Sequence, residues 1–143
     1  MGEQSGPRSA PLALNPVGRV ISGLADRDRA PHQGRGTDLT AFIEIKPEFL
    51  PAAEDISTGD LVWVLCWFDR AARDRLKVHP RGDLSRPLTG VFSTRSPARP
   101  NPVSLTLVEV LSIKDGRIEV KGLEALDGTP VIDLKPYVAA IDR

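Results

Sequence analysis

Asp115 and Gly116 stand between two runs of β-forming residues, 111–114 and 117–123, and this pair constrains the fold more than any other feature of the chain. A two-residue Asp-Gly connection matches the right-handed twist of antiparallel strands, so its flanks must pair as a hairpin. The other apolar runs fit the same sheet. Residues 17–21 are short and β-branched and read as the first strand, and in 39–46 Leu39, Ala41, Ile43 and Ile45 alternate with polar or outward positions, the period of a strand with one buried face. The run LVWVLCWF at 61–68 is too short for a normal helix and rich in β-formers, which predicts a core strand buried on both faces. Residues 88–93, 103–113 and 131–134 complete the set, the last stopped by Pro136. Strands joined by turns with no helices alternating between them predict an all-β fold, a small antiparallel β-barrel with long connecting loops, rather than a doubly wound sheet.

Other local expectations follow. Val103, Leu105 and Leu107 share one strand phase while Val108 and Val110 take the other, which predicts a bulge or bend near Leu107 and Val108. Residues 47–57 read as a turn of helix or irregular linker, 71–76 as a short helix, 77–87 as a polar loop and 127–130 as a turn. Residues 23–37 form a long polar loop whose Gly34-Arg35-Gly36 lacks the third glycine of a dinucleotide fingerprint. Residues 1–16, rich in Pro, Ser, Gly and Ala, predict a flexible N-terminal tail, leaving 17–143 as one barrel domain.

A chain of 143 residues can bury a core without metal or disulfide staples. Cys66 is the only cysteine and sits in an apolar run, so it reads as a small buried hydrophobe, and the two histidines, far apart in sequence, give no metal-ligand spacing. No apolar run reaches the length of a membrane span and residues 1–16 lack a signal-peptide pattern, so the expected compartment is the cytoplasm. Global charge is silent, with 19 basic and 19 acidic residues. Its distribution is not. Residues 70–99 carry seven arginines and Lys77 against Asp74 and Asp83, a local excess of +6 in a chain of formal net charge +0. Such a segment suits attraction to a phosphate backbone, and it equally suits a solvated face.

The end of that basic segment runs into GVFSTRSPARPNPVSLT at 90–106. Pro97, Pro100 and Pro102 fix φ and remove amide donors, so residues 95–101 must be a stiff loop rather than helix or central strand. A stiff loop holds Arg95 and Arg99 as pre-shaped cationic forks for an anion or an aromatic ring, or as partners of nearby carboxylates.

This segment, together with LEALDGTPVIDLKPY at 123–137, resembles the TrmO (YaeB/TsaA-like) family of tRNA methyltransferases. Weaker matches at Pro31-His32-Gln33, 41–45 and 63–68 extend the resemblance over most of 17–142. It implies S-adenosylmethionine as cofactor and, as acceptor, the nitrogen of threonylcarbamoyladenosine beside a tRNA anticodon, a transfer needing no metal. Residue by residue, it implies a donor site at Pro31, His32, Gln33, Phe68, Asp69, Arg95, Leu105, Leu126, Asp127, Gly128 and Thr129. His32 takes the place of a basic residue in the family's Pro-X-Gln segment. For tRNA the resemblance and the basic segment together suggest Arg73, Arg75, Lys77, Arg99, Lys135 and Tyr137. In DLKPY the residues alone also suit an Asp133–Lys135 ion pair with Tyr137 capping the barrel. The sequence departs from the family at Asp69, where relatives carry histidine, and at Ser104 and Thr106, where they usually carry glycine and serine; a side chain at 104 is expected to narrow the donor pocket. The resemblance ends near residue 142, so the C-terminal domain of longer relatives is expected to be missing, and tRNA is expected to rest on the barrel, its basic segment or a second subunit of a homodimer. Two other functions fit the same residues: a non-catalytic tRNA- or nucleotide-binding barrel of the family, and a methyltransferase with a different acceptor.

Overall fold

The computed structural model describes residues 11–23 and 39–143. Six strands close into an antiparallel barrel: β1 (Gly18–Ile21), β2 (Thr40–Ile45), β3 (Leu61–Cys66), β6 (Thr106–Lys114), β7 (Arg117–Lys121) and β8 (Pro130–Pro136), in the spatial order β1-β2-β7-β6-β3-β8. Between β3 and β6 a two-stranded ribbon, β4 (Lys77–Val78) and β5 (Thr89–Gly90), stands outside the barrel. One short helix, α1 (Ala139–Asp142), follows β8. Residues 11–16 carry no regular structure; the rest of the predicted tail, like Pro31, His32 and Gln33, lies outside the described residues.

Alternation builds the core. Ala41, Ile43 and Ile45 of β2, Val62, Val64 and Cys66 of β3, Val108 and Val110 of β6, and Ile118 and Val120 of β7 all point inward, and Leu123, Ala125 and Val131 fill the remaining space. In so narrow a barrel side chains occupy the interior entirely, so the inside is packed core and binding must take place at a rim or on the outer wall. At the hairpin Asp115 and Gly116 both take positive φ, 53° and 79°, the left-handed pair that an Asp-Gly connection needs.

Five expectations change. β3 is not buried on both faces: Val62, Val64 and Cys66 face the core while Leu61 is 42% exposed, because among the described residues no helix layer covers the outside of this barrel. The phase of β6 does not reverse at Leu107, since Val103 and Leu105 precede the strand and already point outward; the register shift lies instead between Val110 and Ser112. Residues 88–93 give only the two residues of β5 and a 3-10 turn, Val91–Ser93, and residues 77–87 hold β4 and a 3-10 turn, Pro80–Gly82. Residues 71–76 form no helix, for a reason that belongs to the site.

Strand order sorts the connections by rim. The exits of β1, β3 and β7 and the entries of β2, β6 and β8 share one rim, so segments 22–39, 67–105 and 122–129 all spring from it. The opposite rim carries 46–60, the Asp115-Gly116 turn and the exit of β8.

Candidate ligand-binding rim

The first rim is laced together by contacts far apart in sequence. The Ser22 amide donates to Asp127 Oδ1 at 2.9 Å and its hydroxyl to the Ala125 carbonyl at 2.9 Å. Gly128 N–H donates to Val20 at 2.8 Å and Val20 N–H to Thr129 at 2.9 Å. Within the turn Thr129, buried at 4% exposure, donates its hydroxyl to the Leu126 carbonyl at 2.7 Å, while Gly128 takes φ 86°, a conformation that suits glycine. Arg70 Nη2 closes the other side on the Asp127 carbonyl at 3.1 Å. Leu126, Asp127, Gly128 and Thr129 therefore make a fixed turn, with Asp127 and Gly128 exposed and the Thr129 side chain turned inward.

The long excursion 67–105 is zipped at its neck. Trp67 bridges to Val103, Phe68 N–H donates to Pro102 at 2.8 Å, and Arg99 N–H donates to Ala72 at 3.0 Å. Arg73 lies over the Trp67 ring, 4.9 Å from its centroid, and donates to the Pro100 carbonyl at 2.8 Å and Asn101 Oδ1 at 3.2 Å. These ties claim the backbone and side chains that a helix over 71–76 would need, so that helix does not form. Closing the neck also shortens the effective loop and lowers the entropy of ordering it.

The two arginines of the proline loop are used differently. Arg99 folds back, donating from Nη1 to the carbonyls of Thr94 and Ser96, each at 3.0 Å, and from Nη2 to that of Val91. Arg95 is exposed and has no side-chain partner among the described residues. Asp69 likewise is exposed without such a partner, beside half-buried Phe68, while Leu105 is 49% exposed. Among the described residues, the connections of this rim thus carry apolar surface at Phe68 and Leu105 and the unpartnered Asp69 carboxylate, and the 67–105 excursion carries the unpartnered Arg95, on backbones that are held. Beneath it Cys66 is fully buried, and burial pushes its thiol up to about 12.

Over residues 19–143 the sequence matches the family described as the tRNA-methyltransferase O N-terminal domain. The chain belongs to the TrmO family. A probable S-adenosyl-L-methionine-binding protein of Archaeoglobus fulgidus is 51% identical over 132 residues, covering 92% of this chain but 35% of that protein. A second protein of that organism, named S-adenosyl-L-methionine-binding protein, is 43% identical over 131 residues, covering 92% and 93% of the two chains. The crystal structure of TrmO from Pseudomonas aeruginosa superposes with a TM-score of 0.74 at 29% identity, covering 93% of this chain and 58% of that one. This chain therefore spans little more than half the length of that TrmO and about a third of the first relative.

Two features of this TrmO-family barrel were out of reach of sequence reasoning. Lys135 and Tyr137 belong to the opposite rim: Lys135 pairs with Trp63 in the β3–β8 ladder and holds Asp133 at 3.4 Å, and Tyr137 lines a groove of about 430 Å³ there with Phe49, Ile56 and Leu61. The Asp133–Lys135 ion pair read from DLKPY is thus present, and these residues are not brought to Arg95 or Asp69. Ser104 is spent on structure, its Oγ accepting the Cys66 amide at 3.2 Å while its own N–H donates to the Cys66 carbonyl at 2.9 Å. That hydroxyl lies against the β3 backbone, where a glycine has nothing to offer. Arg75, bonded to Asp74 at 2.8 Å, and Lys77 sit further out on the excursion. Among the described residues no group of three or more His, Cys, Asp and Glu is arranged to hold a metal, and no helix is long and apolar enough to cross a membrane.

Proposed function

We propose that this barrel binds S-adenosylmethionine at the first rim and transfers its methyl group to tRNA, at the nitrogen of threonylcarbamoyladenosine beside the anticodon, in the cytoplasm. The reading is supported by family membership, by the relatives named for binding this cofactor, and above all by the position of Phe68, Asp69, Leu105 and the turn of Leu126, Asp127, Gly128 and Thr129 on connections that spring from one rim, with Arg95 on the same excursion as Phe68 and Leu105. Their chemistry fits the donor. Phe68 and Leu105 offer apolar surface to an adenine face, the unpartnered Asp69 carboxylate can accept hydrogen bonds from ribose hydroxyls, and the unpartnered Arg95 suits an amino-acid carboxylate. Pro31, His32 and Gln33 belong to the connection that leaves the same rim at Gly23 and returns at Leu39, and they complete the proposed donor site.

When bound, S-adenosylmethionine supplies an electrophilic methyl on a sulfonium. What the chain adds is alignment and field: side chains on a laced rim lose little freedom when they grip the donor, and their fixed dipoles need no reorganisation as positive charge leaves the sulfur. For the acceptor, Arg73, Arg75, Lys77 and Arg99 form the basic approach to the rim; Arg73 and Arg99 act mainly by holding the loop, which leaves Arg75 and Lys77 as its outward charges. Lys135 and Tyr137, on the far rim, reach a substrate bound at the first rim only from a second subunit. We therefore propose a homodimer in which one subunit's far rim faces the other's donor site.

Isothermal titration tests the donor site: binding of S-adenosylmethionine that persists in chelator is expected, and no binding of donor or demethylated product at millimolar concentration overturns the enzyme reading. Mass spectrometry of tRNA nucleosides after incubation tests the acceptor. Methylated threonylcarbamoyladenosine is expected, and turnover on tRNA lacking the threonylcarbamoyl group would point to another acceptor. Light scattering tests the homodimer.

A further inference from the structure

Away from the rim, between the β4–β5 ribbon and the proline loop, lies a cleft of about 370 Å³ that takes Arg75, Lys77 and His79 from one side of the ribbon and Ser96 from the loop. Leu84 and Leu88 give it an apolar lining, and both are otherwise exposed, at 79% and 55%. Its volume is at the small end of the range for ligand sites, roughly 300–1,000 Å³, and it is open to solvent, which suits one unit of a passing polymer better than a sequestered small molecule.

Lys77 carries an unpaired charge in the cleft, with no side-chain partner among the described residues, and Arg75 gives Asp74 one of its five donors. The nearby Asp83 carboxylate is already engaged, by the Ser85 hydroxyl at 2.6 Å, the Ser85 amide at 2.9 Å and Arg86 at 3.8 Å. His79 is oriented by its Nδ1, 2.9 Å from the Arg86 carbonyl; a carbonyl only accepts, so Nδ1 carries the proton. The cleft is shaped as well as charged, because Arg81 and Gly82 turn the chain through positive φ, 57° and 69°, shortly after β4, and Leu84 beyond that turn lines the cleft.

We propose that this cleft holds one ribose-phosphate unit of the RNA strand flanking the methylated nucleotide, its phosphate on Lys77 and Arg75 and its sugar and base against Leu84 and Leu88. The inference rests on the tRNA reading above and adds a site to it. Cations beside an apolar lining answer a nucleotide's two halves, whereas a bare anion has no use for the leucines.

The test is a titration of the full chain, followed by amide NMR, with a ribodinucleotide monophosphate and separately with inorganic phosphate. Saturable shifts confined to residues 75–79, 82–88 and 96, at least fivefold tighter for the dinucleotide and weakened at least fivefold in Lys77→Gln, support the proposal. Lys77 is exposed, so its replacement is not expected to disturb folding, and retained S-adenosylmethionine binding checks this. With an RNA stem-loop the same variant should lower the log–log salt slope by about 0.7–0.9, one phosphate's worth. Shifts that map elsewhere, no shifts at 10 mM dinucleotide by order of magnitude, or equal affinity for phosphate alone overturn it. Nucleoside analysis on the same preparation separates the two readings: tRNA methylation without cleft shifts overturns the cleft only, and cleft shifts without methylation support the cleft while overturning the acceptor.

Discussion

Arg99 donates a hydrogen bond from its guanidinium to the carbonyl of Val91, eight residues earlier, on an oxygen that also accepts from the amide and the hydroxyl of Thr94, each at 3.1 Å. One oxygen thus fastens the 3-10 turn Val91–Ser93 to the far side of the proline loop. Hydrogen bonds from charged donors contribute about 1.5–3 kcal/mol each before solvent screening, and Arg99 is only partly buried. Arg99→Ala is therefore expected to cost about 1–3 kcal/mol in urea unfolding. Arg99→Lys should not restore it, since an ammonium cannot span three carbonyls as a planar fork does. A neutral Arg99→Ala would show that prolines alone set the loop.

Arg95, four residues away, is expected to behave in the opposite manner. With no partner among the described residues it adds nothing visible to the fold, so Arg95→Ala should leave the melting temperature within about a degree while weakening S-adenosylmethionine binding by more than about 1 kcal/mol. Equal losses of stability and binding would assign it a structural part.

What was legible in the sequence was local. The Asp115-Gly116 turn and the alternation of Ala41, Ile43 and Ile45 each depend on neighbours within a few residues, and both hold. The fate of 71–76 was decided from outside, by Pro100, Asn101 and Arg99, and no propensity of its own records that. Ser22 clamps Asp127 across 105 residues of chain, a contact without any local signature. The resemblance gathered residues of both rims because a motif is read along the chain, while strand β8 runs from the Thr129 turn at one end of the barrel to Lys135 at the other.

The seam at Gly18 gives a test of the barrel's closure. β1 pairs with both β2 and β8 here, and a Cβ on Gly18 would press into the Glu44 carbonyl and lie 3.2 Å from the Ile45 Cα. Backbone in a ladder cannot step aside as a flexible side chain can. Gly18→Ala is expected to cost about 3 kcal/mol or more, against little change for Gly90→Ala, where an added Cβ meets nothing within 4 Å. Comparable unfolding midpoints for the two would show that the seam yields.

Cys66 predicts a pH dependence of stability with a definite sign. Burial raises its thiol from 9.0 to about 12, so above pH 9 the unfolded chain loses this proton while the folded chain keeps it. The unfolded state then binds fewer protons, and stability falls as pH rises, by up to about 1.4 kcal/mol per unit from this group alone between pH 9 and 12. To isolate this one group, the quantity to measure is the difference between the wild type and Cys66→Ala, whose unfolding free energies should converge as pH rises from 8 to 11. The same burial predicts that a thiol reagent at pH 8 labels the chain only as fast as it opens, with full labelling in urea. Rapid labelling of the folded protein, or parallel pH profiles for the two chains, would mean that solvent reaches β3 from the rim.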